Sequence, residues 1–406
     1  MGGELGYDSG RVDAGFPPFG RELRAERQEW AVPQDVDGLL KALEKSRRLL
    51  VVIHDNPDPD ALASACALQR LAEEKAGIRS RVCCEPIAGR AENRAMIREL
   101  RLNLLPVSRV NWDQWPLIAL LDTQPGAGNN SLPPRRVPDI VIDHHPLRPK
   151  TRARFLDVRT GYGACATILA EHLRAASVAP SPALAAAMCY AISAETQDLV
   201  RPGAEADTRA YMQLYPLADK RMLGRILHPR RTHSYFATLA RAMLCAFTYG
   251  NIIGCHLGDI PHPDSVGLIA DLLLRHERMG WSIVTGAWQG SLYVSLRARS
   301  DRAHAGVVLA RILRKIGRAG GHGTMAAGRV PLKSPEPGEQ ERLEKEIVLH
   351  LVHALHRRSE VTLRPLISPK ELGGARNLSF TAEAESAPST AHERTRRTKD
   401  QAPIIS

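Results

Sequence analysis

The chain has 406 residues, of which 44% are hydrophobic and 24% are charged. This composition excludes collagen, coiled coils and wholesale disorder, and the length favours a soluble globular protein of about two domains. The longest apolar run, residues 183–192, is far shorter than the roughly 18 residues that a membrane helix needs. The N-terminus lacks the basic-then-apolar order of a signal peptide, so we expect no membrane partner and a cytoplasmic location.

Charge and cysteine content bear on the binding partners and on the redox state of the thiols. Lys and Arg number 55 against 44 Asp and Glu, which gives a formal net charge of +11. A basic surface attracts phosphate-rich partners, but the same charge also serves solubility alone, and both interpretations stay open. The 7 cysteines are scattered without a Cys-x-x-Cys pair, which indicates reduced thiols in a chain of this length without a secretion signal.

Short apolar runs alternate with helical patterns through the first half of the chain. Residues 1–35 are rich in Gly, Pro and charge and predict a flexible leader, after which Leu39, Leu40 and Leu43 lie at helical spacing. Buried strands are predicted at 49–53, 80–84, 117–121 and 139–142, with helices at 61–75 and 92–100. Apolar strands that alternate with helices predict an α/β fold with a mainly parallel sheet and helices on both of its faces.

A second α/β pattern follows an Ala-rich helical region at 181–244. Strands are predicted at 252–257, 281–286 and 292–296, and a helix at 305–316 precedes a glycine-rich turn. These elements predict a smaller α/β domain, with a cleft between it and the first domain. The predicted segments are a flexible leader (1–35), a first domain (36–217), a helical connector (218–244) and a second domain (245–330). A linker with an appended helix (331–372) and a disordered tail (373–406) follow.

Acidic and histidine residues follow three of the predicted strands. The segment His-Asp-Asn-Pro-Asp-Pro-Asp at 54–60 follows the first strand, Asp122 follows the strand at 117–121, and Asp-His-His at 143–145 follows the next. Because ligands bind at the carboxyl ends of parallel strands, we expect these side chains to meet in one crevice. The set comprises His54, Asp58, Asp60, Asp122, His144 and His145.

This set of residue types suits divalent cations. Crowded carboxylates repel one another and are driven towards protonation unless cations neutralise them. Carboxylate and imidazole without thiolate suit Mn²⁺, and two such ions about 3.5–4 Å apart, with a nucleophilic hydroxide between them, form a clamp for in-line phosphoryl displacement. Singly, Asp60 could cap a helix, Asp122 could occupy a turn and the His pair could lie on the surface. Together, histidine and aspartate at three strand ends favour a metal site.

These motifs resemble those of the DHH phosphoesterase superfamily, which includes RecJ-type exonucleases, family II pyrophosphatases and bacterial oligoribonuclease/pAp phosphatases. The segment Gly-Gly-His-Gly-Thr-Met-Ala-Ala-Gly at 320–328 is similar to the signature of the DHH-associated C-terminal domain. The resemblance covers residues 37–330. It implies a phosphoesterase domain at 36–217, a substrate-binding domain at 245–330, and two divalent cations, Mn²⁺ in preference to Mg²⁺ or Co²⁺.

The resemblance also implies a role for each residue of the motifs. The implied metal ligands are His54 and Asp58 for one ion, Asp60 and His144 for the other, and Asp122 as a bridge. His145 would lie beside the scissile phosphate and assist the leaving group, so His145, Asp122 and His144 are the predicted catalytic residues. Asp143 would support His144 from behind rather than bind an ion.

The sequence departs from the family pattern at the motif that normally supplies one more aspartate to the second ion. Glu195 stands where this aspartate is expected, and Asp198 is the alternative ligand. A longer carboxylate can still ligate, so Glu195 is favoured. Pro59 and Ala63 stand where the family usually has glycine, and neither change removes a ligand.

By the same resemblance, the second domain holds the other end of the substrate. The implied contacts there are Ser295, Arg297, Gly320, Gly321 and His322. Arg90 and Asn93, in the first domain, are weaker candidates. A guanidinium can bind two phosphate oxygens, and the glycines allow close backbone approach, with amides ahead of a short helix available to a phosphate. Aromatic residues make up 5% of the chain and form no stacking stripe, which argues against a long single-strand track.

The expected function is therefore that of a two-metal phosphoesterase. Its substrates would be short RNA or DNA oligonucleotides, cleaved in the 3′–5′ direction as by an oligoribonuclease, or 3′-phosphoadenosine 5′-phosphate (pAp). The enzymatic alternatives are a RecJ-like single-strand exonuclease, a cyclic-dinucleotide phosphodiesterase and a family II pyrophosphatase, the last disfavoured by the glycine signature. The non-enzymatic alternative is a nucleotide-binding regulatory protein with a weakened metal site. A homodimer is compatible with each of these.

Overall fold

The computed structural model describes residues 36–85, 90–200, 205–333, 337–356, 361–368 and 370–371. The predicted leader at 1–35 and the predicted tail at 373–406 lie outside the described residues. The chain divides into two compact units, Met1–Thr232 and His233–Ser406. None of the described helices has the length and apolar character that crossing a membrane requires.

The first unit contains one parallel sheet. Its strands are β1 (Arg48–Ile53), β2 (Arg79–Cys84), β3 (Leu104–Pro106), β4 (Leu117–Leu121), β5 (Ile140–Asp143) and β6 (Phe155–Val158). Its helices are α1 (Val36–Leu43), α2 (Pro59–Ala76), α3 (Ala91–Glu99), α4 (Cys165–Ala175), α5 (Pro182–Thr196), α6 (Glu205–Leu217) and α7 (Lys220–Leu227). The strand order is β3-β2-β1-β4-β5-β6, and every pair is parallel. The predicted α/β class with a mainly parallel sheet is confirmed.

The two faces of this sheet are covered differently. Leu49, Val51 and Ile53 of β1 pack with the helices, whereas Leu50 and Val52 face a second cluster. Among the described residues, that second cluster draws on strands, loops and short 3₁₀ turns, and the described α-helices pack on the first face. The reason lies in the connections: α2 and α3 join strands on one side of β1, while the segments from β4 to β5 and from β5 to β6 contain no helix.

The predicted connector at 218–244 is divided between the two units. Helix α7 packs on α3 and α5 and so belongs to the first unit, with Met222, Leu223 and Ile226 in its core. The next helix, α8 (His233–Cys245), packs on strand β8 (Ile252–Asp259) of the second unit. A helical pattern alone does not tell which core a helix joins.

The second unit contains a mixed sheet with helices. Its other helices are α9 (Asp264–Leu273), α10 (Ala305–Leu313) and α11 (Pro337–His356). Its other strands are β7 (Phe247–Tyr249), β9 (Trp281–Trp288), β10 (Ser291–Ala298), β11 (Arg318–His322), β12 (Met325–Pro331) and β13 (Arg364–Pro365). The order is β11-β12-β10-β9-β8-β7-β13, with β8 and β9 parallel and the other pairs antiparallel.

Helix α11 is part of the second unit's core, although the sequence predicted an appended helix after a linker. Leu343, Ile347 and Leu351 are buried in the same cluster as residues of β10 and α10. The apolar side chains recur at intervals of four residues, which places them on one face of the helix. The described part of 331–372 is therefore not a separate appendage.

The glycine-rich segment forms a hairpin of β11 and β12, not a turn ahead of a short helix. Gly320 pairs with Ala327 across this hairpin. Helix α10 lies against it so closely that a Cβ at Gly306 would lie 2.1 Å from the carbonyl oxygen of Gly321. The glycines therefore permit close packing of a helix on a hairpin, and the expected row of amides ahead of a helix is wrong.

Candidate metal centre

The acidic and histidine motifs at 54–60, 122 and 143–145 meet at the carboxyl ends of three neighbouring strands. Because β4 lies between β1 and β5, Asp122 lies between the residues that follow those two strands. His54 follows β1 directly, and Asp143 ends β5 with His144 after it. The side chains that were predicted to meet at the strand ends thus lie close together within the first unit.

One group of donors contains His54, Asp58 and Asp122. The Nε2 atom of His54 lies 3.4 Å from Oδ2 of Asp58 and 3.5 Å from Oδ2 of Asp122. Asp58 is also the N-cap of α2, where its Oδ1 accepts a hydrogen bond of 2.9 Å from the Ala61 amide. The capping role that the sequence allowed for Asp60 therefore belongs to Asp58, and it leaves the second oxygen of Asp58 directed to the cluster.

A second group contains Asp122, His144 and His145. The Nε2 atom of His144 lies 3.3 Å from Oδ1 of Asp122 and 3.8 Å from Oδ2 of Asp60. The Nδ1 atom of His145 lies 3.6 Å from Oδ1 of Asp122. Asp122 belongs to both groups and presents a different oxygen to each, which is the arrangement that a shared ligand of two cations requires.

Asp122 carries the clearest indication that the centre holds cations. It is 2% exposed, and its backbone is left-handed, with φ of 56°. Within the part of the chain that the structure describes, its Oδ1 atom is buried and receives no hydrogen bond of good geometry. A buried carboxylate oxygen without such a bond is costly, and a cation would satisfy it. The donor set and this atom together fit a divalent metal.

The protonation of the cluster supports the same interpretation. Burial, and then the neighbouring Asp122, raise the pKa of Asp60 well above its ordinary value. Burial alone would lower the pKa of His144, but Asp122 and Asp60 raise it to about 10. The pKa of His54 is also raised, since Asp122 and Asp58 outweigh the effect of burial. Without cations the cluster binds protons in their place, and a bound metal ion would release them.

Asp143 holds the second histidine of its motif. It is fully buried, and its Oδ1 accepts from the backbone amide of His144 at 2.8 Å and lies 2.9 Å from Nδ1 of His145. Burial would raise the pKa of Asp143, but the bond to His145 lowers it below its ordinary value. The imidazole that Asp143 contacts is thus that of His145. The predicted support of the His144 ring comes instead from the carbonyl oxygen of Tyr162, 3.2 Å from its Nδ1.

Glu195 and Asp198 lie in different surroundings. Glu195 is in the last turn of α5, and burial, followed by the charges of Asp58 and Asp122, raises its pKa to about 7. It is not a member of either donor group. Asp198 is exposed, lies beyond the helix, and accepts a hydrogen bond from the Ser193 hydroxyl. The pKa of Glu195 therefore responds to the cluster.

The predicted substrate contacts of the second unit share one sheet. Ser295 and Arg297 are on β10, opposite Ala327 and Met325 of β12, and Gly320 and Gly321 are on β11 beyond it. The Nε atom of Arg297 lies 2.6 Å from Oδ1 of Asp271, and its Nη1 donates to Oγ of Ser295 at 2.8 Å. The guanidinium is therefore already paired within the unit. The side chain of His322 lies outside the described residues.

Sequence reasoning missed the contacts that backbone atoms make. The amides of Cys165 and Ala166 donate to the two oxygens of Asp60 at 2.6 and 2.7 Å. The Nδ2 atom of Asn93, a weak substrate candidate, donates to the Pro57 carbonyl at 3.1 Å and so holds the loop of the first motif. Backbone donors leave no residue-type signal in a sequence. Arg90 precedes α3 and forms contacts within the described chain.

Comparison with known proteins agrees with this site and fold. The model of the DHH family, N-terminal domain, matches residues 48–192, a range that holds β1 to β6 and both donor groups. An uncharacterized protein of Methanocaldococcus jannaschii is 35% identical over 292 residues, which is 71% of this chain and 59% of that protein. The chain thus spans 59% of the length of this curated relative.

Solved structures resemble the chain over most of its length. An exopolyphosphatase-related protein from Bacteroides fragilis aligns with a TM-score of 0.61 at 15% identity, covering 78% of this chain and 96% of that one. A pGpG-specific phosphodiesterase from Vibrio cholerae aligns with a TM-score of 0.35 at 14% identity, covering 76% and 98%. The first of these likenesses supports the fold. The fold and the cluster define a two-unit α/β protein with carboxylate and imidazole groups that could hold metal ions. Residues 48–192 are a DHH-family N-terminal domain.

Proposed function

We propose that the protein is a divalent-metal-dependent phosphoesterase that hydrolyses short oligonucleotides or pAp. The observation that carries the proposal is Asp122, which belongs to two donor groups at once through its two oxygens. A structural metal site has no need for a ligand shared in this way, whereas in-line phosphoryl transfer uses a pair of cations. The DHH-family N-terminal domain supports the same reaction class.

The proposal gives each residue of the centre a task. His54, Asp58 and Asp122 hold one cation, and Asp60, His144, Asp122 and Glu195 hold the other. When bound, the two cations, which we propose are Mn²⁺, supply an activated water and stabilise charge on the phosphoryl oxygens. The protein's own contribution is to fix the donors: Asp58 through the cap of α2, and Asp60 through two backbone amides.

His145 is proposed to act on the substrate and not as a ligand. Its side chain is 48% exposed, unlike that of His144, and its Nδ1 is held by Asp143. The hydrogen bond that His145 donates to Asp143 raises the pKa of His145, which favours an imidazole that carries a proton on Nε2 as well. Such a group can donate a hydrogen bond to a phosphoryl oxygen or to the leaving oxygen.

The substrate class rests on the second unit. The glycine-rich hairpin and the Ser295–Arg297 pair share one sheet, which supports recognition of the distal part of a nucleotide. Because Arg297 is paired with Asp271, binding a phosphate through its guanidinium would require exchange of that partner. The 5% of aromatic residues gives no support for a long single-strand track, so we propose short substrates. We also propose a cytoplasmic location, in keeping with 7 unpaired cysteines.

A panel assay tests the proposal. The full-length protein is incubated with pAp, a linear dinucleotide, a cyclic dinucleotide, a longer RNA and inorganic pyrophosphate, each with Mn²⁺, Mg²⁺ or Co²⁺ and with chelator. We expect metal-dependent turnover of pAp or the dinucleotide that exceeds turnover of the other three. Preference for long RNA, the cyclic dinucleotide or pyrophosphate would overturn the substrate class. Tight Mn²⁺ binding without turnover of any substrate would overturn the enzymatic proposal in favour of a regulatory protein.

A further inference from the structure

The segment Tyr162–Ala166, which we call the anchor loop, contacts two residues of the metal centre. The Tyr162 carbonyl oxygen lies 3.2 Å from Nδ1 of His144, so Nδ1 donates a hydrogen bond to it and Nε2 faces the cluster. At the other end of the loop, the amides of Cys165 and Ala166 donate to Oδ2 and Oδ1 of Asp60 at 2.6 and 2.7 Å. The position of this loop therefore sets the orientation of an imidazole and a carboxylate together.

Asp207, on the first turn of α6, holds the middle of the anchor loop. Its Oδ2 accepts a hydrogen bond of 2.7 Å from the Gly163 amide, and its Oδ1 accepts one of 2.5 Å from the Thr167 hydroxyl. The carboxylate is 1% exposed, and the pattern of residues around it gave no reason to single it out from the sequence. Both of its oxygens are thus used, one to fix the loop and the other to fix the start of α4.

The anchor loop packs closely against Asp207 at Gly163. A Cβ on Gly163 would lie 2.8 Å from Oδ2 of Asp207 and 2.6 Å from the Cγ2 atom of Thr196, so a side chain would displace the loop. Thr196 directly follows Glu195, the remaining carboxylate of the proposed ligand set. Gly163 is therefore enclosed between the residue that holds the loop and the helix end that carries Glu195.

We infer that Asp207 is a positioning residue of the metal centre, acting on His144 and Asp60 through the anchor loop. The inference rests on the proposed function, because it assigns Asp207 to the ligand set of that centre. Partners behind metal ligands fix ring orientation and carboxylate direction, and their loss typically weakens metal affinity about 10–100-fold. The two hydrogen bonds of Asp207 go to Gly163 and Thr167 and not to a proposed ligand, so its effect depends on the loop staying in place.

A purely structural role predicts different behaviour. A buried carboxylate with two hydrogen bonds stabilises the fold wherever it lies, and its loss would lower stability without a specific effect on metal binding. The comparison needed is between Asp207 and a buried residue far from the loop. Leu39 of α1 is fully buried and packs in the helix-side core, so Leu39→Ala removes stability without touching the centre.

The test measures Mn²⁺ binding to the full-length protein by titration calorimetry, with urea unfolding in parallel. Asp207→Ala should weaken binding of one ion by about tenfold or more. Asp207→Asn should stay within about threefold of wild type, because its amide oxygen accepts from Gly163 and its NH₂ donates to the Thr167 hydroxyl. Gly163→Ala, which keeps the carboxylate but displaces the loop, should weaken binding as Asp207→Ala does and stands in if that variant does not fold.

Three outcomes decide the matter. Unchanged Mn²⁺ affinity in Asp207→Ala or Gly163→Ala would overturn the inference while leaving the metal centre intact. Equal loss of affinity in Leu39→Ala, at a matched loss of stability, would reduce Asp207 to a structural role. A wild-type protein that binds no Mn²⁺ would overturn the proposed metal centre itself and the inference with it.

Discussion

Replacement of Asp122 by asparagine isolates the shared ligand. Asparagine keeps the shape of the side chain and the backbone bond from residue 122 to the Ile142 carbonyl, and it tolerates the left-handed φ of 56°. Alanine would add strain of about 1–2 kcal/mol at that φ and confuse the result. The change therefore removes one negative charge and little else.

The expected loss is large because Asp122 serves both donor groups. Its oxygens lie 3.5 Å from Nε2 of His54, 3.3 Å from Nε2 of His144 and 3.6 Å from Nδ1 of His145. Loss of one preorganised electrostatic contact at an active site typically costs about 10²–10³-fold in turnover. A residue that acts in both groups should reach the upper end, about 10³-fold, or about 4 kcal/mol of transition-state stabilisation.

The assay is steady-state hydrolysis of the preferred substrate at saturating Mn²⁺, with circular dichroism to follow the fold. Asp113→Asn is the matched control, because Asp113 is 91% exposed and pairs with Arg136 away from the strand ends. It should leave turnover unchanged. Asp122→Asn that keeps more than about a tenth of wild-type turnover would refute the shared-ligand reasoning.

Three further predictions concern a ligand, a buried ion pair and a close contact. Glu195→Gln should weaken Mn²⁺ binding about 10–100-fold by titration calorimetry, whereas Asp198→Asn should not, since that carboxylate is exposed and is hydrogen-bonded to the Ser193 hydroxyl. Burial alone would raise the pKa of Asp157, but its histidine and arginine partners lower it, so its stabilising effect is present at neutral pH and lost on acidification. Asp157→Asn should therefore cost about 1–3 kcal/mol in urea unfolding at pH 7 and less below about pH 4. Gly306→Ala should destabilise by about 1–3 kcal/mol, because its Cβ would lie 2.1 Å from a backbone oxygen, whereas Gly224→Ala, with nothing within 4 Å, should stabilise by about 0.5–1 kcal/mol.

Each of these has a contrary result. Equal affinities in the Glu195 and Asp198 variants would remove Glu195 from the ligand set. A constant free-energy difference for Asp157→Asn from pH 7 to pH 3 would show that its pairing contributes no charge-dependent stability. A Gly306→Ala protein as stable as wild type would mean that α10 and the hairpin do not pack as closely as described.

The residues at the strand ends could be predicted from the sequence because the signal comes from adjacent residues. Uninterrupted apolar runs mark buried parallel strands, and a carboxylate or histidine directly after such a run has one place to go. That rule located Asp122 and His144 without any tertiary information. The same rule predicted the position of His54, which follows β1.

The remaining features depend on contacts between distant segments. Asp207 and Gly163 are 44 residues apart in the sequence, and their hydrogen bond uses the backbone amide of Gly163. Neither residue type therefore predicts the contact. Tyr162 contributes a carbonyl that any residue would supply. The second face of the sheet is a different case: the Gly-, Pro- and Asn-rich stretch at 125–134 shows no helical pattern, and loops and 3₁₀ turns bury the strand side chains there.

The segregation of tasks along the chain has a consequence for how such a protein can diversify. Every donor assigned to the cations comes from residues 54–195, within the first unit, whereas the glycine hairpin and the Ser295–Arg297 pair come from the second. Under the proposed function, mutations in the second unit would alter which compound is bound and would leave the metal-binding donors unchanged. A chimera that joins the second unit of a relative to residues 1–232 would then differ in substrate preference and keep its metal affinity.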